Sequence, residues 1–341
     1  MTRNGHAERT HWLPIVEYLR GLAALSVAWF HLTNTYDTSW VRASGSFGWL
    51  GVEVFFVISG FIIPYSISVL FPRYSLTDFP TFVMRRILRL EPPYLASIML
   101  VIGLWQISAM VPSFTGAAPP VDPWQAMAHI AYLIPMTDYT WYQPVYWTLA
   151  YEFAFYIIIG LAFPFVCVAG RRLMWCVAAA LLIGFVWAGL APPRTLLFVM
   201  GIAVFRAIRE PSERPLTMLI VVGAFAAIAR FDFQIATVGL LTAVMLYLGG
   251  GRRVEISGFL GSTLLGLGAI SYSLYLTHVP IGGRVVNLGR RWIDGLEAEF
   301  ALSVAALAIS IAFAYGFMRL VERPAIQLAR KFTMTSRVAV S

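Results

Sequence analysis

The chain has 341 residues, of which 59% are hydrophobic and only 12% charged, with a formal net charge of +8. Ordinary globular domains carry roughly 45–50% apolar and about 25% charged residues, and single hydrophobic cores stop growing near roughly 250–300 residues. A soluble core, a disordered chain, a coiled coil and a disulfide scaffold are therefore excluded, which leaves an all-α polytopic transmembrane bundle with membrane lipid as its solvent.

Apolar runs at 14–34, 49–70, 94–112, 146–168, 173–190, 195–208, 216–230, 233–248, 260–282 and 299–320 predict about ten membrane helices. The run 195–208 is short, so it is expected to be tilted or partly re-entrant, and the weaker stretch 124–135 is expected as an interfacial helix in a long outer loop. Glu17 and Arg20 interrupt the first run and no small-residue cleavage site follows it, so it is read as a retained helix and not a signal peptide. One domain over 1–341 is expected, because no stretch between the runs is long enough for a second.

Lys331 is the single lysine among 25 basic residues. In a membrane protein their distribution sets orientation, and no nucleic-acid partner is expected. With both termini cytoplasmic, most arginines fall on the cytoplasmic side, and residues 91–170, which hold no lysine or arginine, fit an outer loop near 113–145. Arg284, Arg290 and Arg291 run against this trend on the outer side. Cys167 and Cys176 flank the loop Arg171-Arg172 and have neither metal nor disulfide spacing. No metal site, P-loop, dinucleotide fingerprint or nucleophile elbow is expected.

Ionisable side chains within a span are costly and point to function or to a partner. The first helix carries Glu17 and Arg20, three apart and able to pair, and His31, about 16 Å further along the same face. His31 is either a structural hydrogen-bonder or a general base. Glu53 in the second span and Glu152 in the fourth fall at the same expected depth as His31, and a carboxylate beside a histidine makes it more basic. Arg85, Arg86 and Arg89 sit on what reads as a short cytoplasmic helix ended by Glu91 and Pro92-Pro93. They serve either as anchors to anionic lipid or as a guanidinium fork for a phosphorylated ligand. His278 reads as the end of the ninth span before Pro280, on the acceptor side, and Glu322-Arg323-Pro324 as the stop of the last.

Five blocks carry a resemblance: YLRGLAALSVAWFHL at 18–32, GVEVFFVISGFII at 51–63, RRILRLEPPY at 85–94, WTLAYEFAFY at 147–156 and ISYSLYLTHVP at 270–280, with ERP following at 322–324. In this order, over residues 15–325, the chain resembles the acyltransferase-3 family of integral membrane O-acyltransferases. The resemblance implies acetyl-CoA or another acyl-CoA as donor, with its phosphates held by Arg85, Arg86 and Arg89. It implies His31 as the catalytic residue, Arg20 as its paired arginine and Glu152 as an orienting partner. Glu53, at an acidic or amide position, and His278 are expected on the substrate side. The acceptor implied is a hydroxyl of a carbohydrate or lipid-linked glycan at a bacterial inner membrane. The alternatives are a macrolide-type small molecule or a non-enzymatic exporter. Many relatives carry a C-terminal esterase-like domain; none is expected here, so a second activity would come from a separate periplasmic partner.

Overall fold

Each of the ten apolar runs folds as a helix in the computed structural model, which describes residues 13–37, 39–110, 122–252, 254–293 and 295–338. They are α1 (Pro14–Thr33), α2 (Gly51–Leu70), α3 (Phe79–Ala109), α4 (Trp147–Val166), α5 (Arg172–Trp187), α6 (Thr195–Arg209), α7 (Arg214–Ala229), α8 (Phe233–Arg252), α9 (Gly258–Gly289) and α10 (Leu296–Phe317). No strand occurs among the described residues. Among the described residues eight helical segments are long and apolar enough to cross a membrane, and α5 is apolar but shorter, so this is a multi-pass membrane protein. The termini assigned to the cytoplasm, including Arg3 and Arg9, lie outside the described residues, as do Arg253 and loop positions 111–121.

The lipid requirement is visible on α5. Leu173, Val177, Leu181 and Phe185 recur every fourth residue and are all exposed, a stripe that water would not tolerate and hydrocarbon would. By contrast α6 has Leu196, Leu197, Met200 and Ala203 fully buried. Its 15 residues rise only about 22 Å, and its brevity goes with enclosure by protein.

Three proline positions expected to stop helices do not. Pro92 and Pro93 lie inside α3, so Arg85, Arg86 and Arg89 belong to one 31-residue helix and not to a separate short one. Each proline lacks an N–H and frees the carbonyl four residues earlier; in a bundle, neighbouring side chains compensate such breaks. The Tyr272 hydroxyl donates to the Leu90 carbonyl at 3.0 Å, next to the Leu88 and Arg89 carbonyls that Pro92 and Pro93 free. Pro280 is likewise internal to α9, which places His278 mid-helix and not at a helix end. Beyond α10 a π-turn, Met318–Glu322, leads into the helix Arg323–Val338. Pro324 occupies the first turn of that helix, where the π-turn has already shifted the hydrogen-bond register.

The chain packs as two units. The first comprises residues up to Ala24, Leu50–Phe79 and Ile157–Ala269. Its centre is the α2–α6 crossing, where two glycines remove the steric barrier to backbone contact. A Cβ on Gly60 would overlap the Phe198 carbonyl oxygen, and one on Gly201 the Val57 carbonyl oxygen. Arg206, 1% exposed, is satisfied by Glu213 Oε2 at 2.9 Å from Nε and by the Val166 carbonyl at 2.6 Å from Nη1. Cys167 is buried and both cysteines are free thiols.

The second unit comprises Leu25–Trp49, Pro80–Tyr156 and the chain from Ile270 onward. Leu32, Tyr36, Val41, Val286 and Ala306 form a buried cluster tying α1, α9 and α10 together. The outer-loop stretch folds as the short helix Pro123–Ile130, capped by Asp122, which accepts from the Trp124 N–H at 2.8 Å. His129 locks this loop onto α3. The Tyr142 backbone N–H donates to its Nε2 at 3.2 Å, its Nδ1 meets the Tyr94 hydroxyl at 3.0 Å, and its ring stacks on Tyr142. Burial pushes the His129 pKa down to about 4.

Candidate active site

α1 delivers His31 and α9 delivers His278 to one point in the second unit. His278 Nε2 lies 3.2 Å from His31 Nδ1. Each ring also has Nδ1 at 2.9 Å from the carbonyl one helical turn earlier, Val27 for His31 and Leu274 for His278. A carbonyl only accepts, so both Nδ1 atoms carry hydrogen in the neutral rings. His278 Nε2 is then a lone pair, and His31 Nδ1–H is shared between it and Val27. Among the described residues His31 Nε2 has no partner. It is the nitrogen left to accept a proton, with His278 placed to stabilise the imidazolium as a third group does in a catalytic triad.

His278 is fully buried, whereas His31 lines a cavity of about 610 Å³. Trp105 of α3, Tyr142, Gln143 and Arg284 of α9 also face it. Two of the lining residues each hold a buried atom without a hydrogen-bond partner among the described residues, the Tyr142 hydroxyl and Gln143 Oε1, and both atoms are closed off from water-sized access. Burial raises the Tyr142 phenol above its ordinary pKa of 10.0, so it remains a neutral O–H.

The other residues singled out from sequence are distributed as follows. Glu152 accepts from the Tyr156 hydroxyl one turn later on α4. Arg86 is buried, with its guanidinium carbon 5.4 Å from the centres of both the Phe82 and Tyr156 rings. Glu152 and Arg86 therefore converge on Tyr156, while Arg85 and Arg89 on the same helix are half-buried. Glu53, fully buried in the first unit, binds Arg194 Nε through Oε1 at 2.9 Å, and its Oε2 has no partner among the described residues. Arg20, also in the first unit, pairs with Glu17 at 3.9 Å. His31 and His278 are brought together directly.

A family model described as an acyltransferase domain matches residues 13–319. The chain belongs to the acyltransferase-3 family. It is 26% identical to acyltransferase MdmB of Streptomyces mycarofaciens, over 93% of this chain and 92% of that protein. A stretch of 91 residues, 26% of this chain and 13% of its counterpart, is 37% identical to YrhL of Bacillus subtilis (strain 168), named as a peptidoglycan O-acetyltransferase. No solved structure matches the chain. As a member of the acyltransferase-3 family this membrane protein is an acyltransferase enzyme, and the exporter alternative falls.

Tyr156 and Gln143 gave no signal as site residues in the sequence, because aromatic and amide side chains at a membrane interface are ordinary, and Arg194 read only as one more loop arginine. Arg284 and Arg291 did give one: both line the His31 cavity, and both belong to the arginine group that broke the charge bias.

Proposed function

We propose that the enzyme transfers an acyl group, acetyl in the first instance, from acyl-CoA to a hydroxyl of a cell-surface or exported glycan at a bacterial inner membrane. The observation that carries this reading is His31 Nε2, without a partner among the described residues, on a histidine that lines a cavity of about 610 Å³. His31 Nε2 takes the proton of the acceptor hydroxyl as its oxygen attacks the thioester carbonyl carbon. The tetrahedral intermediate collapses with cleavage of the C–S bond, and the imidazolium returns the proton to the departing CoA thiolate.

Arg85 and Arg89 suit the CoA phosphates, since they lie one turn apart on α3 and share a face. Arg86 supports this face from inside, through Tyr156 and Glu152. The catalytic part of Arg20, which pairs with Glu17, rests on family position alone. The place of Glu53 on the substrate side rests on family position alone.

The test is His31→Ala in purified, membrane-inserted enzyme, with labelled acetyl-CoA and mass spectrometry of surface glycans and small-molecule extracts. Transfer is expected to vanish while insertion is unchanged. Normal turnover in the variant overturns the assignment, and an acyl mark found only on small molecules replaces the glycan by the macrolide-type acceptor.

A further inference from the structure

The charge of the His31 cavity is one-sided. Arg284 and Arg291 both line it, with Asn34 and Asn287, and among the described residues no carboxylate does. Arg284 is half-buried, its guanidinium carbon 5.5 Å from the centre of the Trp105 ring. Among the described residues one of its five donors is used, by the Pro280 carbonyl at 2.9 Å from Nη1. Among the described residues no carboxylate contributes to its electrostatic surroundings. The neighbouring Arg290, by contrast, is engaged elsewhere, on the Thr35 carbonyl and over the Tyr36 ring. A guanidinium removed from bulk water without a counter-ion is costly, and a bound anion relieves that cost. Arginine also presents a planar fork matched to carboxylate and phosphate.

We infer that the cavity selects an anionic acceptor: a glycan unit carrying a carboxylate or phosphate near the reacting hydroxyl, gripped by Arg284 and Arg291 while the hydroxyl meets His31. The inference rests on the acyl transfer proposed above and adds the charge of its acceptor. It also disfavours an acceptor with a protonated amine.

Initial rates with acetyl-CoA are measured on two matched pairs, glucose 1-phosphate against methyl glucoside and N-acetylmuramate against N-acetylglucosamine, and on glucosamine. The pairs separate phosphate from carboxylate as the anion read. The expected result is a kcat/KM for at least one anion about tenfold or more above its neutral partner, with glucosamine poorest. Arg284→Gln and Arg291→Gln should each cut that preference by about tenfold, and Arg284→Lys should retain part of it, which separates charge from folding. Charge-blind rates in the unaltered enzyme, or equal losses on anionic and neutral sugars in the glutamine variants, overturn the inference while leaving acyl transfer standing. A raised KM for acetyl-CoA with the acceptor preference intact assigns the two arginines to the donor and also overturns it. Failure of the unaltered enzyme to acylate any of the sugars removes the glycan reading and this inference together.

Discussion

Replacing His278 tests whether the second histidine acts through the first. His278 accepts from His31 Nδ1–H at 3.2 Å, the long end of a useful hydrogen bond, and shares that hydrogen with Val27 at 2.9 Å. Hydrogen bonds to charged groups contribute about 1.5–3 kcal/mol; a long, shared one belongs in the lower half, about 1.5–2 kcal/mol. It reaches that strength only when His31 is an imidazolium, so the loss falls on the transition state and lowers kcat by about 12–30-fold. His278→Leu preserves bulk and leaves His31 Nδ1–H bonded to Val27, so no buried donor is orphaned. His278→Gln keeps an acceptor and should recover part of the rate. Steady-state kinetics on detergent-solubilised enzyme give the answer: kcat falls in the leucine variant, KM for both substrates holds, and glutamine rescues. Unchanged kcat in His278→Leu, or a loss carried by KM with no glutamine rescue, refutes a positioning role.

Two further outcomes follow from packing and titration. Gly201→Ala sets a methyl group against the Val57 carbonyl oxygen at the α2–α6 crossing, and forced overpacking costs about 1–3 kcal/mol; a lowered melting midpoint in detergent checks it. For the outer loop, His129 is held neutral, with its pKa moved from 6.5 to about 4 by burial. A depressed histidine pKa stabilises the fold fully above the unfolded value, and that contribution is lost as pH falls from 6.5 toward 4, because the unfolded state takes up the proton first. Hydrogen exchange at the Tyr142 amide, corrected for intrinsic rate, should therefore accelerate over this window in the parent and not in His129→Phe.

The helices were legible because lipid imposes one long apolar run per crossing, and all ten runs became helices. Their ends were not, wherever a proline supplied the signal. Pro92-Pro93, Pro280 and Pro324 all read as stops, yet the chain stays helical through each, because a helix packed in a membrane bundle tolerates the hydrogen bond that a proline removes. His31 was visible as an ionisable group where lipid forbids one. Its contact with His278 was hidden, since two residues 247 apart reveal nothing of each other in a single sequence. Glu53 announced its need for a partner but not that Arg194 would meet it. The three arginines near 85 looked equivalent; only the packing of Phe82 and Tyr156 sets Arg86 apart.

α3 serves as a ruler. From Arg85 to Trp105 its path is about 30 Å at 1.5 Å per residue, close to the hydrocarbon thickness of a bilayer. In the reaction proposed above, a donor gripped at the arginine end and spent at the tryptophan end must be long and slender enough to cover that path. A short thioester could satisfy the chemistry at His31 and still fall short of the arginines. Donor choice then becomes a matter of reach as well as charge, and the unbroken helix through Pro92-Pro93 is what keeps the length fixed.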